Sequence, residues 1–104
     1  MHELALTEEL LRLVEESAEG RPVQSVQVEI GALSAVVPEA FESCFALLTD
    51  ARLEIIRQPG LALCRSCVAN VPLDSPLQGC PQCHGHDLKW LQGQHVRLIR
   101  LEVD

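Results

Sequence analysis

The chain has 104 residues, enough for one compact domain or one small domain carrying a smaller module. Hydrophobic residues make up 47% of it, which argues against disorder, but its aromatics are only Phe41, Phe45 and Trp90, so any core is built mostly of Leu and Val. A net charge of −7, with 8 Lys and Arg against 15 Asp and Glu, excludes the basic footprint that nucleic acid or an anionic membrane would require.

The start, MHELALTEE, has no positive segment, no apolar stretch of leader length and no small-residue cleavage site, so a cytoplasmic protein is expected. From Leu4 to Glu19 the residues Leu6, Leu10, Leu13 and Val14 recur at helical spacing, and Gly20 and Pro22 supply a stop. Glu15, Glu16 and Glu19 crowd the last turn against the helix dipole, and an Arg12 to Glu16 pair would relieve part of that cost. This acidic face reads as solvated, with partner docking as the alternative.

Val26, Val28 and Ile30 alternate with Gln27 and Glu29 as a half-buried strand ending at Gly31. Pro38 then opens a second helix, with Glu39 and Glu42 near its start and a core stripe of Phe41, Cys44, Phe45 and Leu48. Within that stripe Cys44 reads as a buried small hydrophobe, neither ligand nor disulfide partner. Leu53–Gln58 is a second strand closed by Pro59 and Gly60, and His95–Val103 a third, with Ile99, Leu101 and Val103 in alternation. A lone strand pair is marginal in water, so the last strand is expected to join the first two. The expected fold is α+β, two helices on a three-stranded sheet with an inserted four-cysteine zinc-ribbon module. Residues 1–59 plus 93–104 form the main domain and 60–92 the module.

The module holds Cys64-Arg-Ser-Cys67 and Cys80-Pro-Gln-Cys83, separated by twelve residues that include Pro72, Pro76 and Gly79. Two such knuckles can place four sulfurs tetrahedrally about 2.3 Å from zinc, and 33 residues without a sizeable apolar core need such a staple. An iron site of the same ligands and a thioredoxin-like redox pair are the competing readings; the first lacks an aromatic-rich shell, the second a single motif beside a βαβ unit. A nucleic-acid ribbon would need more cations than Arg65 and Lys89. His84 and His86 read as exposed turn residues, with substitute ligation or pH sensing as the alternative. Trp90, with Leu88, is expected to pack over the knuckles rather than stack a base.

Met1-His2-Glu3 offers a divalent metal an α-amine, a backbone nitrogen and an imidazole in fused chelate rings, a planar nitrogen set suited to Ni(II) or Cu(II). Read from the residues alone, the chance occurrence is the better reading, because His2 is a single residue. No catalytic constellation is present: no nucleophile stands beside a paired base, and no loop is built to cradle phosphate.

The whole pattern is nonetheless recognisable. MHEL at the start, VEIGALS at Val28–Ser34, the Phe-bearing second helix, the LEI strand with Pro59, Cys-x-x-Cys, CPQCHG from Cys80 to Gly85 and the final IRLEV strand resemble the HypA/HybF family, the nickel metallochaperones of [NiFe]-hydrogenase maturation, over essentially the entire chain. The resemblance implies nickel bound at His2 and its neighbouring backbone nitrogens, with the Met1 amine and Glu3 assisting. It implies structural zinc on Cys64, Cys67, Cys80 and Cys83. It also implies a HypB-type GTPase and the [NiFe]-hydrogenase large subunit as partners, and urease maturation for some members. One departure is the connection Leu48-Thr49-Asp50-Ala51-Arg52, shorter than the glycine-bearing loop usual in the family. The alternative function is a zinc-ribbon adaptor that docks maturation partners without itself carrying metal.

Overall fold

The computed structural model describes residues 3–104, in the order α1 (Glu3–Ala18), β1 (Val23–Gly31), α2 (Pro38–Leu48), β2 (Arg52–Gln58), β3 (Gly60–Cys64), β4 (Ala69–Leu73), β5 (Leu88–Gln92) and β6 (Val96–Val103). The strands form two three-stranded sheets, β2-β1-β6 and β4-β3-β5. By contacts the chain divides into two compact units: residues up to Glu29 with Val36–Ile56 and Arg97–Asp104, and Ile30–Ala35 with Arg57–Val96. The fold is α+β with a ribbon module, as the sequence implies.

In the first unit α1 packs on α2. The buried line of α1 is Thr7, Leu10, Val14 and Ala18, so the buried face is rotated from the one the leucines mark. Leu13 and Leu4 are exposed, correcting the placement of Leu13 in the core. The reason is periodicity: residues 7, 14 and 18 fall almost one above the other at 3.6 residues per turn, while 13 stands a full residue step of about 100° away from 14. Thr7 is tolerated inside because its hydroxyl donates to the Glu3 carbonyl at 2.6 Å, leaving no unpaired polar atom. Arg12 bonds Glu9, one turn back, and not Glu16, consistent with side chains leaning toward the helix N-terminus. The last turn of α1 therefore keeps Glu15 and Glu16 with no basic residue.

Pro38 starts α2, where its missing N–H costs nothing, and the helix ends as Thr49 N–H donates to Phe45 O. Phe41 and Phe45 are buried, with ring centroids 6.3 Å apart. Cys44 is only half-buried and Leu48 exposed, so the core stripe of α2 is narrower than its periodicity suggests. In β1, Val26, Val28 and Ile30 are all but wholly buried.

Strand directions follow from the bonds at the strand ends. Asp104 N–H donates to Pro22 O at 3.0 Å and Gly31 N–H to His95 O at 2.9 Å, so β6 runs antiparallel to β1. Gln27 bonds Glu54 and Ala32 N–H donates to Gln58 O, partners that advance together, so β2 runs parallel to β1. Parallel neighbours need a long crossover, and α2 supplies it. On the outer strands the burial alternation slips: Ile56 with Arg57 and Ile99 with Arg100 are exposed in succession, so Ile99 is exposed while Leu101 and Val103 are half-buried.

In the second unit β3 pairs antiparallel with β4 and with β5. The inward positions of β3 are Gly60, Ala62 and Cys64, which carry no strand signature, whereas β4 turns Val71 and Leu73 inward. Leu33, Ala62, Cys64, Val71, Leu73 and Cys80 form its core, and Leu88 packs against it. Trp90, opposite Ala62, is 38% exposed beside a bulge that leaves Leu91 without a partner.

Gly31 sits where a side chain has no room: a Cβ there would lie 2.0 Å from the Gly93 carbonyl oxygen. At Gly20, with φ +81° and open space around it, alanine would meet only backbone strain. Gly31→Ala should therefore cost more than about 3 kcal/mol in a denaturant melt and Gly20→Ala about 1 to 2 kcal/mol, an order that equal losses would contradict.

Candidate metal centre

The β3–β4 turn and the segment before β5 carry the two knuckles. Cys64 ends β3, Cys67 stands in the turn that leads to β4, and Cys80 and Cys83 flank a second turn. In each knuckle the first cysteine is buried and the second faces outward: Cys67 is half-buried and Cys83 exposed. The four Sγ atoms all lie within 4.8 Å of one another. Across the knuckles, Cys64 Sγ is 3.7 Å from Cys83 Sγ and Cys67 Sγ is 3.9 Å from Cys80 Sγ.

These spacings decide what the set can hold. A tetrahedron with bonds of about 2.3 Å to sulfur has edges of about 3.8 Å, so a metal ion fits the four thiols with almost no movement. A disulfide would need sulfurs about 2.05 Å apart, and all five cysteines are free. Backbone donors already face the sulfurs: Cys67 N–H points to Cys64 Sγ, Gln82 N–H to Cys80 Sγ and Gly85 N–H to Cys83 Sγ, each at 3.4 Å. Such donors stabilise negative charge on thiolates and orient the ligands.

The thiols are not electrostatically alike. The Cys83 backbone N–H, outweighing burial, lowers Cys80 to about 7 from 9.0. Hydrogen bonding to the Cys83 and then the Cys64 side chains, with burial adding, pushes Cys67 up to about 12. Without metal one sulfur is thus ready to ionise while another holds its proton for its neighbours.

Both knuckles close in the same way. Val68 N–H donates to Cys64 O and His84 N–H to Cys80 O, each at 2.8 Å, and both residues take left-handed φ, +54° and +63°. Recurrence at the equivalent position shows that the turn demands this conformation. Val68 is the costlier occupant, being β-branched. The first knuckle is also tied to the start of β5, since Arg65 pairs with Asp87 through both backbone (3.0 Å) and side chain (2.8 Å). That exposed pair sets geometry more than stability. His84 and His86 are exposed turn residues.

Of the three residues expected to hold nickel, Met1 and His2 lie outside the described residues. Glu3, half-buried, opens α1, and its Oε1 accepts a long bond from Val37 N–H at 3.5 Å.

A four-thiol ribbon and two helices over a mixed sheet define the class: an α+β metal-binding protein. A family model described as hydrogenase/urease nickel incorporation, metallochaperone, matches residues 1–103. Among the similar proteins are relatives named hydrogenase maturation factor HypA. That of Trichodesmium erythraeum is 40% identical over 110 positions, covering 100% of this chain and 96% of the relative. That of Rhodopseudomonas palustris strain BisB5 is 42% identical over 113, covering 100% of both. The solution structure of the nickel metallochaperone HypA from Helicobacter pylori superposes with a TM-score of 0.68 at 28% identity, over 99% of this chain and 97% of that one. The chain belongs to the HypA family of metallochaperones for nickel incorporation in hydrogenase maturation. The alignments are longer than the chain, so these relatives carry insertions that it lacks.

Two outcomes follow from the site. Val68 is 81% exposed, so Val68→Gly loses no packing while relieving about 1 to 2 kcal/mol of strain, less about 0.5 to 1 for glycine's unfolded-state freedom. The metal-loaded variant should melt higher and lose metal to a chelator more slowly; faster loss would contradict the strain. The second outcome concerns pH. The lowered Cys80 value favours the folded module above the thiol's ordinary range, and that contribution fades as pH falls through about 7; the raised Cys67 value works oppositely, favouring the fold below the ordinary range until pH rises toward 12. Metal must still displace the remaining protons. Apparent affinity in chelator competition should be more than about tenfold weaker at pH 6 than at pH 8, with proton release on binding.

Proposed function

We propose that this chain binds Ni(II) through the Met1 amine, the backbone nitrogen and imidazole of His2, and Glu3, and delivers it for assembly of the [NiFe]-hydrogenase active site. The match of the nickel-incorporation family over residues 1–103 carries this reading, together with the sequence Met1-His2-Glu3. The chemistry agrees: nitrogen donors in fused five- and six-membered rings favour the planar geometry of Ni(II), and a chain end can release its cargo when a partner rearranges it. The four cysteines hold a resident zinc, which stabilises the ribbon and is not the cargo. Zinc fits a closed tetrahedral thiolate set, and the ribbon's own core has only six small or medium side chains. Elemental analysis should give one zinc per chain; iron would favour the rubredoxin-like alternative.

The protein is non-enzymatic and cytoplasmic. No helix among the described residues is long and apolar enough to cross a membrane. Its partners are a HypB-type GTPase and the hydrogenase large subunit, with urease maturation proteins as a further destination. Nickel titration by calorimetry and absorbance tests the cargo site. A chain with an unmodified Met1 should bind about one Ni(II), His2→Ala should abolish tight binding while keeping zinc and fold, and residues added before Met1 should do nearly the same by acylating the amine. Affinity should fall below about pH 6.5 as imidazole takes up a proton. Undiminished binding in either altered chain would place nickel elsewhere and leave the zinc-ribbon adaptor as the better reading.

A further inference from the structure

The first unit keeps a groove whose described lining includes neither the four cysteines nor Glu3. It runs along α1 and is closed by the end of α2, with a volume of about 270 Å³, lined by Glu8, Leu11, Arg12, Glu15 and Leu48. A second concavity continues it toward the start of α1, past Ala5 and Glu9. From Ala5 to Glu15 is about 15 Å along a helix axis, three turns, so the surface is long and shallow rather than a small-molecule pocket.

Its chemistry is apolar in the middle and acidic at the sides. Leu11 stands one turn from Glu8 and one turn from Glu15, and Leu48, 43% exposed, faces the same groove. Leu47 beside it is 80% exposed. The cation in the groove, Arg12, is engaged by Glu9, while Glu8 and Glu15 have no ion-pair partner among the described residues. Glu15 and Glu16 also stand in the last turn of α1, where the helix dipole opposes them and no basic residue offsets them. Acids kept where they cost stability, around leucines kept in water, conflict with folding alone and match a cationic, apolar visitor.

We infer that this groove docks an amphipathic helix of a partner protein, with Leu- or Ile-class residues at i and i+3 or i+4 seated between Leu11 and Leu48, and Lys or Arg two turns apart meeting Glu8 and Glu15. Two glutamates seven residues apart on α1 lie about 10 Å from each other on one face, the spacing of cations two turns apart on a facing helix. The acidic rim rejects nucleic acid and anionic lipid. The inference goes beyond the nickel reading and stands or falls separately from it.

The probe is a synthetic fifteen-residue helix with leucines at helical spacing flanked by lysines, compared with a scrambled peptide of the same composition, titrated into the full chain with an unmodified Met1 and followed by amide chemical shifts. Binding should move resonances of α1 and the end of α2, and the scrambled peptide should bind at least about fivefold more weakly. Leu48→Ser should weaken binding about fivefold, and Glu8→Gln with Glu15→Gln about tenfold at low salt with a flatter salt dependence. Glu39→Gln with Glu42→Gln, an equal charge change elsewhere on α2, should change it less than about twofold. Circular dichroism, zinc content and nickel titration of each variant should match the native chain, separating loss of docking from loss of fold or cargo. Equal binding of the scrambled peptide, an equal effect of the control pair, or shifts spread over the whole acidic surface would overturn the inference. So would self-association of the free protein that Leu48→Ser abolishes, since the occupant would then be a second copy.

Discussion

Closure of four sulfurs around one point is the constraint on which the ribbon depends. Its core side chains are few, and two of them, Cys64 and Cys80, belong to the four-thiol set that could hold a metal ion. The apolar packing and the metal set are thus one structure: the first cysteine of each knuckle is held by the β3–β4–β5 core, and the second is brought back by a turn whose left-handed residue and N–H to sulfur bonds leave little freedom. Cross-knuckle sulfur spacings of 3.7 and 3.9 Å match a tetrahedron's edges, so the protein part of the site is prepared for metal.

The other unit is stabilised in a different way. Phe41 and Phe45 of α2, Leu10 and Val14 of α1 and the valines of β1 make an ordinary apolar core, with Thr7 admitted because its hydroxyl is paired within its own helix. This division suits a carrier. A resident ion that stabilises the fold calls for a closed all-thiolate cage, whereas cargo that must leave calls for ligands that can let go.

Electrostatics separates the halves as well. Residues 1–59 hold 11 acids and 4 arginines, while 60–92 balance at two and two. Surface acids ordinarily matter little to stability, but those in the last turn of α1 run against the helix dipole and remain unpaired by Arg12, which turns back to Glu9. A residue that breaks a local rule without a compensating contact points outward, to something the chain meets.

Much was legible in the sequence for physical reasons. Both helices, three strands and the four-cysteine module follow from periodicity, Pro and Gly punctuation and ligand spacing, which are local properties of the chain. The proposed nickel trio rests on family resemblance, because a single histidine carries no pattern of its own. Tertiary structure alone determined which face of each amphipathic element is inside: Leu13, Leu48 and Ile99 have the right period and remain exposed, while Thr7 and Ala18 are buried, because burial depends on where the neighbouring element lies and not on hydrophobicity alone. It also decided the three ribbon strands, the first of which turns only Gly60, Ala62 and Cys64 inward and so carries no strand signature, and the left-handed turn at Val68. That conformation is imposed by the return of Cys67 toward Cys64 and Cys80, a demand no local preference of valine could announce.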